Sequence, residues 1–209
     1  MSAWNLIGVV AWLIVAAWLV FTVMNIRSRH LRMLVVAKRE HSAKTALIDC
    51  AEIVVLILLA VGMSWVTWFR QPDRIDGNSV HVRYTYDKLL LQTDASRSYY
   101  VSVTRGNGTQ PVQYYTYWTN GAKYQITSRN ADVAAGTDPL TVRASNLPWQ
   151  EKQLAKWDKQ SERAYVATYI ATYEPTFLNG LGMRVGRTAT RFSIIRIPNE
   201  TFEKITAAK

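Results

Sequence analysis

The stretch WNLIGVVAWLIVAAWLVFTVMNI at residues 4–26 carries no ionisable side chain, and IVVLILLAVGMSWVTWF at residues 53–69 repeats that character. A bilayer-spanning helix needs about 20 predominantly apolar residues. The two runs therefore predict a transmembrane hairpin over residues 1–70, with spans near 4–26 and 47–69. A cleavable signal peptide would place its positive charge before the apolar run. Here the charge follows it, which predicts a retained helix.

Residues 27–45 join the spans and hold Arg27, Arg29, Arg32, Lys38, Arg39 and Lys44 against the single Glu40. Short loops rich in Lys and Arg stay on the cytoplasmic side. Four basic residues, Arg70, Arg74, Arg83 and Lys88, follow the second span. The balance predicts a cytoplasmic connector, with the N-terminus and the C-terminal domain outside. Trp4, Trp65, Trp68 and Phe69 then fall at one interface, where an aromatic ring keeps its polar edge wet. Leu31, Met33, Leu34, Val35 and Val36 have two readings. They lie along the anionic cytoplasmic leaflet, or they simply extend the helices. Asp49 and Glu52 open the second span, where the helix dipole and nearby Lys/Arg favour carboxylates. Their reading is structural rather than as an ion path.

Composition changes near residue 70. All 11 tyrosines lie beyond it, and residues 70–209 carry 19 Lys/Arg against 12 Asp/Glu. The only cysteine, Cys50, lies in the anchor, so the C-terminal segment forms no internal disulfide. That suits a bacterial envelope protein whose core is large enough to need no staple.

After a linker at residues 71–79, alternation predicts a strand over 80–86 and further extended segments over 89–93 and 99–104. The turn at residues 105–109 leads into a strand over 112–119. Asn120-Gly121, a strong short hairpin signal, leads into 123–128. Residues 130–139 read as a loop and 140–144 as a strand. One amphipathic helix is expected over 148–162, with Pro148 in its first turn. Strands follow over 164–173 and 190–197, separated by a glycine-rich loop, and residues 199–209 read as a short helix or coil. The fold class is a membrane-anchored α+β protein: a two-helix hairpin, then a mostly antiparallel β domain over residues 80–209 with one amphipathic helix.

The chemistry is mostly exclusion. His30 and His41 belong to the connector, which leaves residues 70–209 one histidine, His81, and no cysteine. The usual zinc sets and nucleophile–base pairs are absent on that count. No phosphate loop follows the glycines, no cofactor is expected, and the outside location argues against nucleic acid. Two groups stand as candidate binding residues. Tyr114, Tyr115, Tyr117 and Trp118 form an aromatic run suited to stacking on sugars, or equally to core packing. Arg184, Arg187, Arg191 and Arg196 form a basic run suited to anionic headgroups or wall polymers, or equally to a solvated face.

The two spans, the basic connector, the Tyr-rich β domain and the segment YEPTFLNGLG at residues 173–182 together resemble an uncharacterised membrane-protein family of lactic acid bacteria. The resemblance implies Gram-positive membrane placement and carries no catalytic or binding residue. The expected function is non-enzymatic: an envelope protein binding a partner or an anionic wall or lipid component. The alternative is a small accessory subunit of a membrane complex, joined through Gly8, Ala11, Ala60, Gly62 and Ser64, whose size permits close helix approach. A lesser alternative is a wall-polymer hydrolase.

Overall fold

The computed structural model describes residues 2–32, 43–70, 78–106 and 112–206. The chain forms two compact units, one of Met1–Pro72 with Tyr173–Arg187 and one of Asp73–Thr172 with Thr188–Lys209.

In the first unit, α1 (Asn5–Arg32) and α2 (Ala43–Ser64, continued as a π-helical turn over Trp65–Phe69) are both long and apolar enough to cross a membrane. The helix α1 runs six residues past the predicted end of its span. Arg29 is therefore a helical residue rather than part of a loose connector. Met33, Leu34, Val35, Val36, Lys38, Arg39 and Glu40 lie outside the described residues.

The buried residues of α1 are Asn5, Gly8, Val15 and Thr22, spaced by three or seven, while Leu13, Val20 and Met24 are exposed. This inverts the soluble pattern and matches what a lipid setting would require: apolar side chains face out, and small or polar ones mediate helix contact. Trp12 Nε1 donates to Thr67 Oγ1 at 3.3 Å, and Asn25 Nδ2 donates to Glu52 Oε1 at 2.9 Å. Arg29 reaches both Asp49 and Glu52, and His30 lies 3.6 Å from Asp49. The two carboxylates are thus ion-pair partners of α1, a structural use that satisfies charges expensive to leave alone in a membrane helix.

The segment expected to be a glycine-rich loop instead contains a short helix, α4 (Phe177–Leu181), packed on the hairpin's ends. Thr176 caps it, accepting from the Asn179 amide at 3.3 Å. A Cβ on Gly180 would sit 2.5 Å from the Trp4 carbonyl oxygen, and one on Gly8 2.5 Å from that of Leu181. Glycine is required at both positions by this close approach. Gly8 therefore serves a contact within the chain.

The second unit holds two four-stranded sheets and a small ribbon, β2 (Gln92–Thr93) with β3 (Ser98–Tyr99). The first sheet has the order β1 (Val80–Lys88), β8 (Tyr165–Tyr173), β9 (Thr188–Ile197), β7 (Ala131–Ala135). The second has the order β10 (Glu203–Thr206), β4 (Val101–Arg105), β5 (Gln113–Thr119), β6 (Ala122–Thr127). The β4–β5–β6 meander and the β8–β9 pair are antiparallel. Asn120 and Gly121 both have positive φ, 48° and 78°, the geometry a two-residue hairpin turn requires.

Val101, Val103, Tyr115 and Tyr117 of one sheet pack with Val166, Ile195 and Ile197 of the other to form the core. The outer face of the first sheet is covered by α3 (Glu151–Gln160), whose Leu154 is fully buried. Beneath it the rings form two clusters, Tyr84 with Trp149 and Tyr169 and Tyr86 with Trp157 and Tyr165, with ring contacts at 5.6–6.5 Å. Such pairs add stabilisation beyond their buried area.

Four local expectations are corrected. Residues 131–135 form β7, not a loop, because its alanine-rich strand is held by parallel pairing with β9. No strand forms at 140–144, where the chain makes a 3-10 turn at Ala144–Asn146. Pro148 lies ahead of the helix, which begins at Glu151 with Gln150 as N-cap. The tail adds β10, paired in parallel with β4.

Burial pushes the hydroxyls of Tyr84, Tyr86, Tyr115, Tyr117, Tyr165 and Tyr169 above the ordinary tyrosine value. The folded chain therefore holds these protons at a pH where the unfolded chain, titrating near 10, has lost them. The stabilisation is complete below about pH 10 and is lost as pH rises through the folded values. Absorbance at 295 nm should show only part of the 11 tyrosines ionising in the folded chain, with the rest appearing on alkaline unfolding. Uniform titration near pH 10 would contradict this core.

Candidate functional site

A polar cleft of about 160 Å³ opens between the sheets of the second unit, lined by Thr85, Asp87, Tyr117, Thr119, Tyr124, Val166, Thr168 and Arg191. Five strands supply it. Thr85 and Asp87 come from the end of β1, Tyr117 and Thr119 from β5, Tyr124 from β6, Thr168 from β8 and Arg191 from β9.

Each side chain is placed by a local rule. Tyr117 and Tyr124 are direct cross-strand partners in the Asn-Gly hairpin, and their rings stack at 5.8 Å with a 19° interplanar angle. Asn120 turns its amide back to donate to Asp87 Oδ1 at 3.2 Å, so the turn residue also orients the carboxylate. Thr168 and Ser193 share a buried hydroxyl bond at 2.9 Å and close the inner end of the cleft. Arg191 is exposed, and among the described residues no hydrogen bond or ion pair holds its guanidinium. Burial raises the Tyr117 hydroxyl above its ordinary value; Arg191 opposes the rise, while Asp87 and Tyr124 add to it. Tyr117 is thus a neutral donor at ordinary pH, standing between a cation and an anion.

The cleft is smaller than the roughly 300 Å³ of sites enclosing a drug-sized ligand. It suits one small group of a larger molecule: an anionic oxygen cluster facing Arg191 and hydroxyls facing Asp87 and the threonines. Among the described residues no three His, Cys, Asp or Glu side chains come together as a metal set.

The eight sequence candidates separate. Tyr117 and Arg191 meet in the cleft. Tyr115 is buried in the core, its hydroxyl donating to Gln113 Oε1 at 2.9 Å. Tyr114 and Trp118 point to the opposite face of β5, with Tyr99 against the Trp118 ring and Lys123 above it. Arg184 belongs to the first unit, donating to the carbonyls of Thr67 at 3.0 Å and Arg70 at 2.6 Å. Arg187 is exposed in that same unit.

Arg196 is fully buried, paired with Asp158 at 3.0 Å and donating to the carbonyls of Ala134, Gly136, Thr137 and Asp138. It ties α3 to the turn after β7 and faces no ligand. The basic run is therefore not one patch. Residues 191 and 196 differ in parity, and alternate positions on a strand face opposite sides.

Sequence reading missed Thr85, Asp87, Thr119, Tyr124 and Thr168. A two-residue turn at 120–121 implies the Tyr117–Tyr124 pairing. Nothing local implies that β1, β8 and β9 bring the rest alongside.

A family model of an uncharacterised family matches residues 3–204, and the chain belongs to that family. No curated protein and no solved structure matches it.

Replacing the buried Arg196 strands the half-buried Asp158 carboxylate and four carbonyls, a loss of up to about 3–5 kcal/mol, the range for a broken buried pair. Arg196→Met should lower the thermal midpoint of the β-rich unit sharply. Arg191→Met, on the exposed rim, should change stability by less than about 0.5 kcal/mol. Circular dichroism melts of the two variants make the comparison, and equal losses would refute the assignment.

Proposed function

We propose that this member of an uncharacterised family is a membrane-anchored binding protein of the bacterial cell envelope, without catalytic activity of its own. In this reading the hairpin spans the membrane, residues 27–45 are cytoplasmic, and the β-rich unit lies outside. The basic connector supports that orientation, and the resemblance to membrane proteins of lactic acid bacteria supports a Gram-positive setting. The β-rich unit takes an anionic polyol group, a phosphate or carboxylate next to a hydroxyl-bearing carbon. One observation carries the proposal: Arg191, without a hydrogen-bond or ion-pair partner among the described residues, faces the same cleft as Asp87, the Tyr117–Tyr124 stack and three threonines. A guanidinium with unused donors recognises such oxygens well, while Asp87 accepts from adjacent hydroxyls.

The shared chemistry occurs in glycerol-phosphate wall polymers and in anionic lipid headgroups. A second reading, an accessory subunit of a membrane complex, is favoured by Gly62. It is exposed on α2 with nothing within 4 Å of its would-be Cβ, which leaves room for a further helix.

Calorimetric titration of the detergent-solubilised full chain with glycerol 3-phosphate, a soluble glycerol-phosphate polymer and phosphatidylglycerol vesicles tests the binding. Binding of glycerol 3-phosphate is expected, with at least one macromolecular source, and loss of roughly tenfold or more in Arg191→Met. Polymer binding without vesicle binding identifies the wall as source, and the reverse identifies lipid. Absence of binding to all three, or binding indifferent to Arg191→Met, overturns the proposal. Orientation is tested separately: Asn78→Cys in a Cys50→Ser background should react with an impermeant thiol reagent in intact cells.

A further inference from the structure

The segment between β8 and β9 has two sides in the first unit. Its inner side is fully engaged. Asn179 is buried, donating to the Glu174 carbonyl at 2.9 Å and accepting from Arg70 at 3.2 Å. Gly180 lies against the Trp4 carbonyl, and Gly182 lies where a Cβ would be 3.1 Å from that of Val66. Asn5 clasps the Val185 backbone with two bonds of 3.1 Å.

These contacts fix the depth of α4. Leu181 and Met183 are level with Gly8, four residues into the apolar run from Trp4, or about 6 Å along the helix at 1.5 Å per residue. On α2 the segment is level with Val66, inside the turn Trp65–Phe69. The exposed aromatics of this level are Trp4, Trp65, Trp68 and Phe69, at 43–66% exposure. The outer side of α4 presents two more large apolar side chains, Phe177 at 61% and Leu178 at 50% exposure.

We infer that α4 is a third membrane-contacting element, with Phe177 and Leu178 seated in the same leaflet interface as the aromatic belt. The inference rests on α1 and α2 spanning the membrane. Its occupant is the lipid boundary between headgroups and acyl chains, because the exposed pair continues a belt that this environment selects. A segment from the middle of the β-rich sequence is thereby also a lipid anchor, in the manner of short interfacial helices.

The test uses the full chain with Cys50→Ser, carrying one added cysteine at Leu178, Leu58 or Lys159. Each is labelled with an environment-sensitive fluorophore and reconstituted in phosphatidylcholine–phosphatidylglycerol vesicles. Leu58→Cys reports the span and Lys159→Cys the exposed face of α3. The label on Leu178→Cys should be quenched by shallow spin-labelled lipid roughly twofold more than that on Lys159→Cys, and shielded from aqueous iodide. If Leu58→Cys is quenched by deep spin-labelled lipid while Leu178→Cys remains open to iodide, α4 lies in water and this inference alone fails. Shielding of Leu178→Cys from both quenchers means a protein surface covers it, which also overturns the inference. If Leu58→Cys escapes lipid quenching, the spanning hairpin fails first and this inference with it.

Discussion

A helix that stops leaves its last carbonyls without partners, and α2 ends in the turn Trp65–Phe69. Arg184 resolves this by donating to the carbonyls of Thr67 and Arg70 from more than 110 residues away in sequence. Its guanidinium also lies 5.7 Å from the Tyr173 ring. The rest of the first unit depends on this contact. It brings residues 173–187 to the hairpin, where Asn5, Gly8 and Gly180 then fit backbone to backbone. The chain consequently passes between its two units three times, at residues 72–73, 172–173 and 187–188.

That dependence changes the meaning of the arginine run. Arg184 completes a helix end, Arg196 completes a core, and only Arg191 and Arg187 keep exposed side chains. Burial separates them by role: a guanidinium aimed at several carbonyls has its donors spent, whereas one at a cleft mouth has them available. The same division applies to the tyrosines. Tyr84, Tyr86, Tyr165 and Tyr169 fill the space between α3 and the sheet, and Tyr117 alone of the tyrosine candidates from the sequence lines the polar cleft.

The chain joins two helices long and apolar enough to cross a membrane to a β-rich unit. The function proposed for it rests on the cleft rather than on the fold, since folds of this general kind host unrelated functions. The cleft's small size is part of that reading, because it favours recognition of a repeating group on a polymer or a headgroup within a surface.

Much was legible in the sequence because it is written in local rules. Apolar length predicted the two helices, and alternation predicted β1, β5, β8 and β9. Asn120-Gly121 predicted a hairpin, and interleaved lysines marked α3. What failed locally was held by distant partners. The strand β7 has little propensity of its own and exists because β9 offers a parallel edge. The tail becomes β10 because β4 does the same, and α4 forms where the hairpin's ends receive it. Sequence alone determined which segments are apolar, extended or turned, since each depends on neighbours within a few residues. Only the tertiary structure decided that Arg191 meets Asp87 while Arg196 vanishes into the core. Strand parity assigns a side chain to one of two faces, but what covers each face is set by packing across the fold.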